Sequence, residues 1–284
     1  MLAKRLPSIL PKMSFDEALE VTKIHSISGL LSNNQPLIWQ RSFRSPHHTI
    51  TPNSLVGGGK NPKPGEISLA HRGILFLDEL PEFQKSTLEL LRGPLEDHEI
   101  TISRLNTTIT YPCSFMFVAS MNPCPCGYYG VQDKSCSCKP EQIKKYINKI
   151  SGPLLDRIDI QIEVEAIKYD KFSSTKPQES SAQIQDRVNC ARQIQLQRYK
   201  SDSIYSNEQL TPRLIEKYCK LDNCCKKMLE DAFERLGLSA RAYHRILKVA
   251  RTIADLDSSK NIQTCHLAEA IQYRSLDRKY WGNK

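Results

Sequence analysis

The stretch GILFLDELPEF, residues 73–83, constrains this chain of 284 residues more than any other. From Gly73 to Leu77 it is apolar and mostly large, as in a strand buried on both faces of a sheet, and it stops abruptly at Asp78 and Glu79. Strand-like runs recur at CSFMFVASMN and RIDIQIEVEA, with TLELLRGPL between the first two reading as a helix. Strands alternating with helices predict an α/β fold built on a parallel sheet.

Other elements fit around that layer. SFDEALEVTKI places Glu17 three residues after Ser14, a capping-box signature that predicts a helix start near residue 14. EITISRLNTTITY alternates polar and apolar residues about RLNT, the pattern of a β-hairpin over residues 100–112. KYDKFSSTKPQESSAQ is polar and aperiodic, so a linker is expected. Beyond it, TPRLIEKYC offers Thr211 as a cap with Pro212 at the first helical position. LSARAYHRILKVARTIADL sets Ile246, Val249, Ala250, Ile253 and Leu256 on one helical face. The expected organisation is an α/β core over 1–165, a linker over 166–182 and a smaller all-helical domain over 183–284.

Hydrophobic residues at 39% and charged residues at 25% are ordinary globular proportions. No run is long and apolar enough for a membrane helix, and MLAKRLPSILPK carries charge where a signal peptide is apolar, so a cytosolic protein with no membrane partner is expected. A net charge of +9 favours anionic partners such as nucleotides or nucleic acid, although a basic balance also serves solubility alone. Ten cysteines in such a chain read as metal ligands or buried thiols rather than disulfides.

Carboxylates at the carboxyl edge of an α/β sheet lie where such sheets bind ligands. In nucleotide hydrolases an Asp there holds Mg²⁺ and a following Glu orients or deprotonates water. The run FMFVASMNP ends in Asn122, which would lie beside Asp78 if the two strands are neighbours. SGPLLDRID adds Arg157 and LSARAYHR adds Arg241, each of which also reads singly as a surface charge. CPCGYYGVQDKSCSC spaces Cys124, Cys126, Cys136 and Cys138 as two C-x-C pairs around a loop containing Gly127 and Gly130, which suits a tetrahedral Zn²⁺. The alternatives are four reduced thiols or a redox-labile pair. The remaining six cysteines lack ligand-like spacing. His47 and His48 are adjacent in FRSPHHTIT, where extended neighbours point apart, so no shared metal is expected.

The stretches FRSPHHTIT, SLVGGG, PGEISLAHRGILFLDELPEF, PLEDHEITISR, VASMNPCPCG, ISGPLLDRID and LSARAYHRILKVARTIADL jointly resemble the magnesium-chelatase-like AAA+ ATPases of the YifB/ComM branch. The resemblance implies an AAA+ core followed by a helical lid. LFLDE would be the Walker B strand, with Asp78 for Mg²⁺ of Mg-ATP, Glu79 as catalytic base and Asn122 as sensor 1. Arg157 would be the arginine finger acting on a neighbouring subunit's ATP in a hexameric ring, and Arg241 would be sensor 2, contacting the nucleotide. The branch further implies branch migration of DNA during uptake of foreign DNA. In related rings a hairpin projects into the pore, which makes Arg104 the candidate phosphate contact, or else a solvated hairpin residue.

A phosphate-gripping G-x-x-x-x-G-K-[ST] loop is absent from the sequence. SLVGGGKNP has Lys60 after Gly59, but Asn61 stands where Ser or Thr should ligate Mg²⁺ and Ser54 where the first glycine belongs. Gly57, Gly58 and Gly59 therefore read as a flexible loop rather than a phosphate cradle. Family members carry the grip immediately before a helix resembling MLAKRLPSILP, so the chain is expected to be a fragment, to have a mis-assigned start or to come from a broken gene. Alone it should bind ATP poorly, hydrolyse it negligibly and expose a sheet edge. Two rival functions stand beside the DNA motor: a chelatase-type motor driving Mg²⁺ into a porphyrin, and a zinc-stabilised binding or regulatory module without ATPase activity.

Overall fold

The structure, a computed structural model, describes residues 2–31, 36–59, 61–104, 107–130, 134–164, 179–274 and 276. The chain divides into two compact units, Met1–Arg157 and Ile158–Lys284. Most of the expected linker, residues 166–178 of 166–182, lies outside the described residues.

In the first unit, helix α1 (Phe15–Ile27) begins as its sequence dictates: the Ser14 hydroxyl accepts from the Glu17 N–H, and the Glu17 carboxylate accepts from the Ser14 N–H. Its Ala18 and Val21 pack with Met13. Strand β1 (Phe43–Arg44) follows, then helix α2 (Pro52–Val56), the antiparallel ribbon of β2 (Gly57–Gly58) and β3 (Lys63–Pro64), and helix α3 (Glu66–Leu69). Strand β4 (Ile74–Leu77) has Ile74, Leu75 and Leu77 at 0% exposure, each burial contributing about 1.5–3 kcal/mol. It is the middle strand of a parallel sheet ordered β1-β4-β7, where β7 is Met116–Ala119. The registers pair Phe43 with Ile74 and Leu77 with Ala119.

Between β4 and β7, the expected single helix is instead two short ones, α4 (Lys85–Glu89) and α5 (Pro94–Asp97), because Gly93 and Pro94 interrupt it. Strands β5 (Glu99–Arg104) and β6 (Thr107–Pro112) form the expected antiparallel hairpin. The glycine run is not the flexible loop that its composition predicts. A Cβ on Gly57, at φ +111°, would lie 2.4 Å from the Lys63 carbonyl oxygen and 2.7 Å from Ile102 Cδ1, so backbone and hairpin are packed against it. Tyr111 adds a hydrogen bond from its hydroxyl to the Pro62 carbonyl at 3.1 Å. The hairpin is thus anchored at its base by the β2–β3 ribbon. After β7 come α6 (Pro140–Ile147) and α7 (Gly152–Leu155).

RIDIQIEVEA does not form the expected strand. Its described residues, 157–164, have no regular structure, and those from Ile158 on fall in the second unit, with Ile160 and Ile162 exposed. Gln161 donates its N–H to the Tyr273 carbonyl, so the segment spends a backbone bond on a helix end and not on the sheet. The second unit is otherwise helical: α8 (Ser181–Arg198), α9 (Pro212–Tyr218), α10 (Asn223–Leu236), α11 (Ala240–Leu256) and α12 (Thr264–Gln272). Ile246 and Ala250 of α11 enter its core as expected, but Leu256 is exposed. In its place α11 buries a charged pair, Arg251 and Asp255, at 2% and 1% exposure.

Candidate active site

Parallel pairing of β4 with β7 decides what stands beside the two carboxylates. With Leu77 opposite Ala119, the residue facing Asp78 is Ser120, whose hydroxyl donates to Asp78 Oδ1. The Glu79 N–H donates to the same oxygen at 3.1 Å. Ser120 also accepts the Leu80 N–H at its carbonyl, 2.9 Å away. Asn122, expected beside Asp78, lies two residues past Ser120, exposed, with its Cγ 3.9 Å from where a Cβ on Gly127 would be. Strand β7 ends three residues short of it, which is why a run ending in Asn122 misplaced the neighbour.

Glu79 is held at φ 53° and ψ 51°, a left-handed conformation that costs a non-glycine residue about 1–3 kcal/mol. It is the first residue of a tight turn, its carbonyl accepting the Glu82 N–H at 2.8 Å. Both carboxylates are exposed at the carboxyl end of β4. The loop after β1 brings a histidine to them: His48 Nδ1 is 4.0 Å from Glu79 Oε2. His48 also sets its edge against the buried Phe83 ring, with centroids 6.3 Å apart. The rings of His47 and His48 are 4.0 Å apart and tilted by 36°, contrary to the expectation that they diverge. Turning of the chain at His47–Ile50, closed by a 2.9 Å backbone bond, removes the extended geometry on which that expectation rested.

The candidate cations are differently placed. Arg157, at the end of the first unit, is buried and bonded to Glu96 of α5 and to the Pro153 carbonyl. Arg241 is exposed in the first turn of α11, whose start is capped by the Ser239 hydroxyl. Arg104 ends β5, and its side chain lies outside the described residues. Lys60 is likewise outside them. The glycine run enters an antiparallel ribbon directly after a helix, whereas a phosphate cradle leaves a strand and enters a helix.

The four cysteines come together. The Sγ atoms of Cys124, Cys126, Cys136 and Cys138 all lie within 4.8 Å of one another. The other six divide as core and surface thiols: burial pushes the Cys113 thiol up to about 12 and the Cys219 and Cys225 thiols up to about 11, while Cys190, Cys224 and Cys265 are exposed. Tyr146 of α6 stands between cluster and carboxylate edge; burial, with Glu82, raises its pKa, while a hydrogen bond to the Asn122 backbone lowers it.

Sequence reasoning missed Ser120, Glu96 and Tyr146, and it singled out His48 without placing it beside Glu79. The strand register would have found Ser120, since pairing Leu77 with Ala119 sets Ser120, two residues before Asn122, opposite Asp78. Glu96 and Tyr146 act through contacts far apart in sequence, for which no local pattern exists.

Comparison with known proteins agrees with this architecture. Residues 1–172 match the family model described as magnesium chelatase, subunit ChlI, and residues 178–274 the one described as its C-terminal part. The chain is 47% identical over 282 residues to the competence protein ComM of Haemophilus influenzae, covering 98% of this chain and 53% of that protein. It is also 47% identical over 280 residues to the protein YifB of Escherichia coli, covering 98% and 54%. A stretch of 70 residues is 30% identical to the magnesium-chelatase 38 kDa subunit of Acidiphilium rubrum, 25% of this chain and 20% of that protein. The chain spans about half the length of ComM and YifB. On these matches and this sheet, the chain belongs to the magnesium-chelatase-like AAA+ ATPase family, in its YifB/ComM branch.

Proposed function

We propose that the chain is the hydrolytic part of a ring-forming ATPase that moves DNA, with the helical unit as its lid. The observation that carries this reading is Asp78 and Glu79 side by side at the carboxyl end of the middle strand of a parallel sheet. Phosphoryl transfer depends on positioning and charge neutralisation, so a metal carboxylate, a water-orienting group and cations are the parts required.

The residues fit Mg²⁺. Asp78 Oδ1 is fixed by Ser120 and by the Glu79 N–H, Oδ2 has no partner among the described residues, and a hard carboxylate oxygen is the ligand Mg²⁺ takes. When bound with ATP, Mg²⁺ neutralises charge on the terminal phosphates. Glu79 then accepts a proton from the attacking water, and Asn122 offers an amide for orienting it. Arg241, in the first turn of α11, is the cation proposed as sensor 2. Arg157 serves as the finger on a neighbouring subunit's ATP once its ion pair with Glu96 opens.

Action on DNA, in branch migration of recombination intermediates, is supported by the net charge of +9, by the anchored β5–β6 hairpin bearing Arg104 at its end, and by a likeness to a competence protein. The cytosol is the setting in which ten unpaired cysteines persist, and no described helix is long and apolar enough to cross a membrane. A second reading, a zinc-stabilised binding module without ATPase activity, is favoured by the thiol cluster.

The test is to join this chain to the part of the Haemophilus influenzae relative that it does not span. Mg-ATP turnover is then measured with branched DNA, with porphyrin and with neither. Stimulation by DNA alone is expected, with a hexameric mass under turnover conditions. Stimulation by porphyrin would favour a chelatase motor, and no turnover in any condition would favour the binding module.

A further inference from the structure

Cys124, Cys126, Cys136 and Cys138 are four free thiols. The separations between Sγ atoms are 3.3 Å for Cys124 and Cys126, 3.7 Å for Cys124 and Cys136, and 3.5 Å for Cys126 and Cys136. A disulfide would require about 2.05 Å. Four sulfurs placed tetrahedrally about Zn²⁺ at about 2.3 Å stand roughly 3.8 Å apart, close to these three separations, and the Cys138 sulfur lies within 4.8 Å of the others.

The backbone is shaped for the same purpose. Gly127 and Gly130 take φ +82° and +80°, conformations that fold the chain back between the two pairs, and the Gly127 N–H closes the first turn on the Cys124 carbonyl at 3.0 Å. The Tyr129 N–H points at Cys124 Sγ from 3.4 Å, an interaction that stabilises a thiolate. Among the described residues this is the one group of three or more His, Cys, Asp or Glu side chains close enough to share an ion.

The surroundings say what such an ion would do. Between the end of β7 at Ala119 and the start of α6 at Pro140, the described residues form no helix or strand. Cys124 is the only one of the four that is buried, so hydrophobic burial does little to fix this connection. Asn122 stands at its start, and Tyr146, 6% exposed, reaches the Asn122 backbone from α6.

We propose that the four thiolates bind one structural Zn²⁺, which ties the segment after β7, and with it Asn122, to the start of α6. An all-sulfur tetrahedral set selects a soft or borderline ion over Mg²⁺ or Ca²⁺, and having no open position it holds the ion without exposing it to substrate. The inference goes beyond the motor reading and does not depend on it.

The full chain, purified without chelator, is assayed for bound metals, and the site is loaded with Co²⁺ as a spectroscopic probe. One zinc per chain is expected, with the intense thiolate-to-cobalt bands of a tetrahedral sulfur site in the substituted protein. Cys126→Ser combined with Cys138→Ser should abolish both, whereas Cys224→Ser and Cys265→Ser should keep them. Amide exchange over residues 120–139 should accelerate on metal removal, while exchange in β4 stays unchanged. If the double variant does not fold, thiol titration of the unaltered chain gives the same information: chelation should expose four further reactive thiols. Absence of metal after zinc loading, iron as the native metal, or zinc retained by the folded double variant would overturn the proposal.

Discussion

Asp255→Ala is the perturbation whose cost the structure fixes most closely. The carboxylate is buried at 1% exposure and accepts from Arg198 Nη1 at 2.9 Å, from Arg251 Nε at 3.1 Å and from Asn207 Nδ2 at 2.9 Å. Burial already holds the Arg251 pKa below its ordinary value despite this partner. Removing one member of a buried pair leaves an uncompensated charge and costs about 3–5 kcal/mol. Two features favour the lower end: Arg251 keeps the Lys260 and Ser259 carbonyls at 2.9 and 2.6 Å, and the Arg198 side chain is 16% exposed. A loss of about 3 kcal/mol is a large share of the ~5–15 kcal/mol that holds a typical domain. With a slope of about 2 kcal/mol per molar urea, the midpoint followed by far-ultraviolet circular dichroism should fall by about 1.5 M. Replacing the set together, Arg198→Met, Arg251→Met and Asp255→Leu, should recover part of that loss, because no buried charge is then left unpaired, while the Lys260 and Ser259 carbonyls lose their donor. A fall of less than about 0.5 M on Asp255→Ala would refute the reasoning, since the guanidinium groups would then be satisfied without the carboxylate.

Three further outcomes are expected. Gly57→Val forces a side chain into the Lys63 backbone at a φ of +111°, so a loss of at least ~1–3 kcal/mol and faster amide exchange along β5 and β6 should follow; unchanged exchange would show that the ribbon does not anchor the hairpin. His71 is held below its ordinary pKa by burial, partly offset by its bond to Glu20, and its Nδ1 accepts the Ser114 N–H at 3.1 Å. Glu20, which burial alone would raise, is lowered by His71 and Arg72. Both groups bind more protons when unfolded, so their stabilisation is complete above the unfolded-state values and is lost as pH falls through the lower folded-state ones. The urea midpoint should therefore drop between pH 7.5 and pH 5.5, and less steeply in His71→Gln; a midpoint that rises on acidification contradicts the assignment. Ser120→Ala removes the hydroxyl that orients Asp78 and should raise the Mg²⁺ needed for half-maximal turnover of the joined protein by about 10–100-fold, with no change expected if Asp78 is not the metal carboxylate.

The parts of this molecule legible in its sequence are those written in local, periodic signals. The capping box at Ser14 and Glu17, the alternation through β5 and β6 and the apolar run of β4 each encode their element within a few residues. The position of the candidate carboxylates was legible to the same depth: Asp78 and Glu79 follow from the strand that they end. What surrounds them was not, because Ser120 depends on the register of a neighbouring strand and His48 on a loop from the other one. Ile158–Val164 failed in the opposite way: the residues alternate like a strand, but a strand needs a partner, and this segment's backbone bonds to Tyr273 instead. The Arg251–Asp255 pair escaped a reading that scored only apolar positions on α11. Four cysteines in two C-x-C pairs were visible at once, since close spacing is itself the geometric constraint.

Glu79 is proposed to act on the water that attacks ATP. Single-turnover hydrolysis and nucleotide binding by the joined protein, with and without Glu79→Gln, test it most directly. The variant should bind Mg-ATP about as tightly as the unaltered protein and assemble equally well, while hydrolysis falls by about 10²–10⁴-fold, the usual contribution of a general base. Hydrolysis within a few-fold of the unaltered rate would contradict it, and the carboxylates at the end of β4 would then have to be assigned a role other than catalysis.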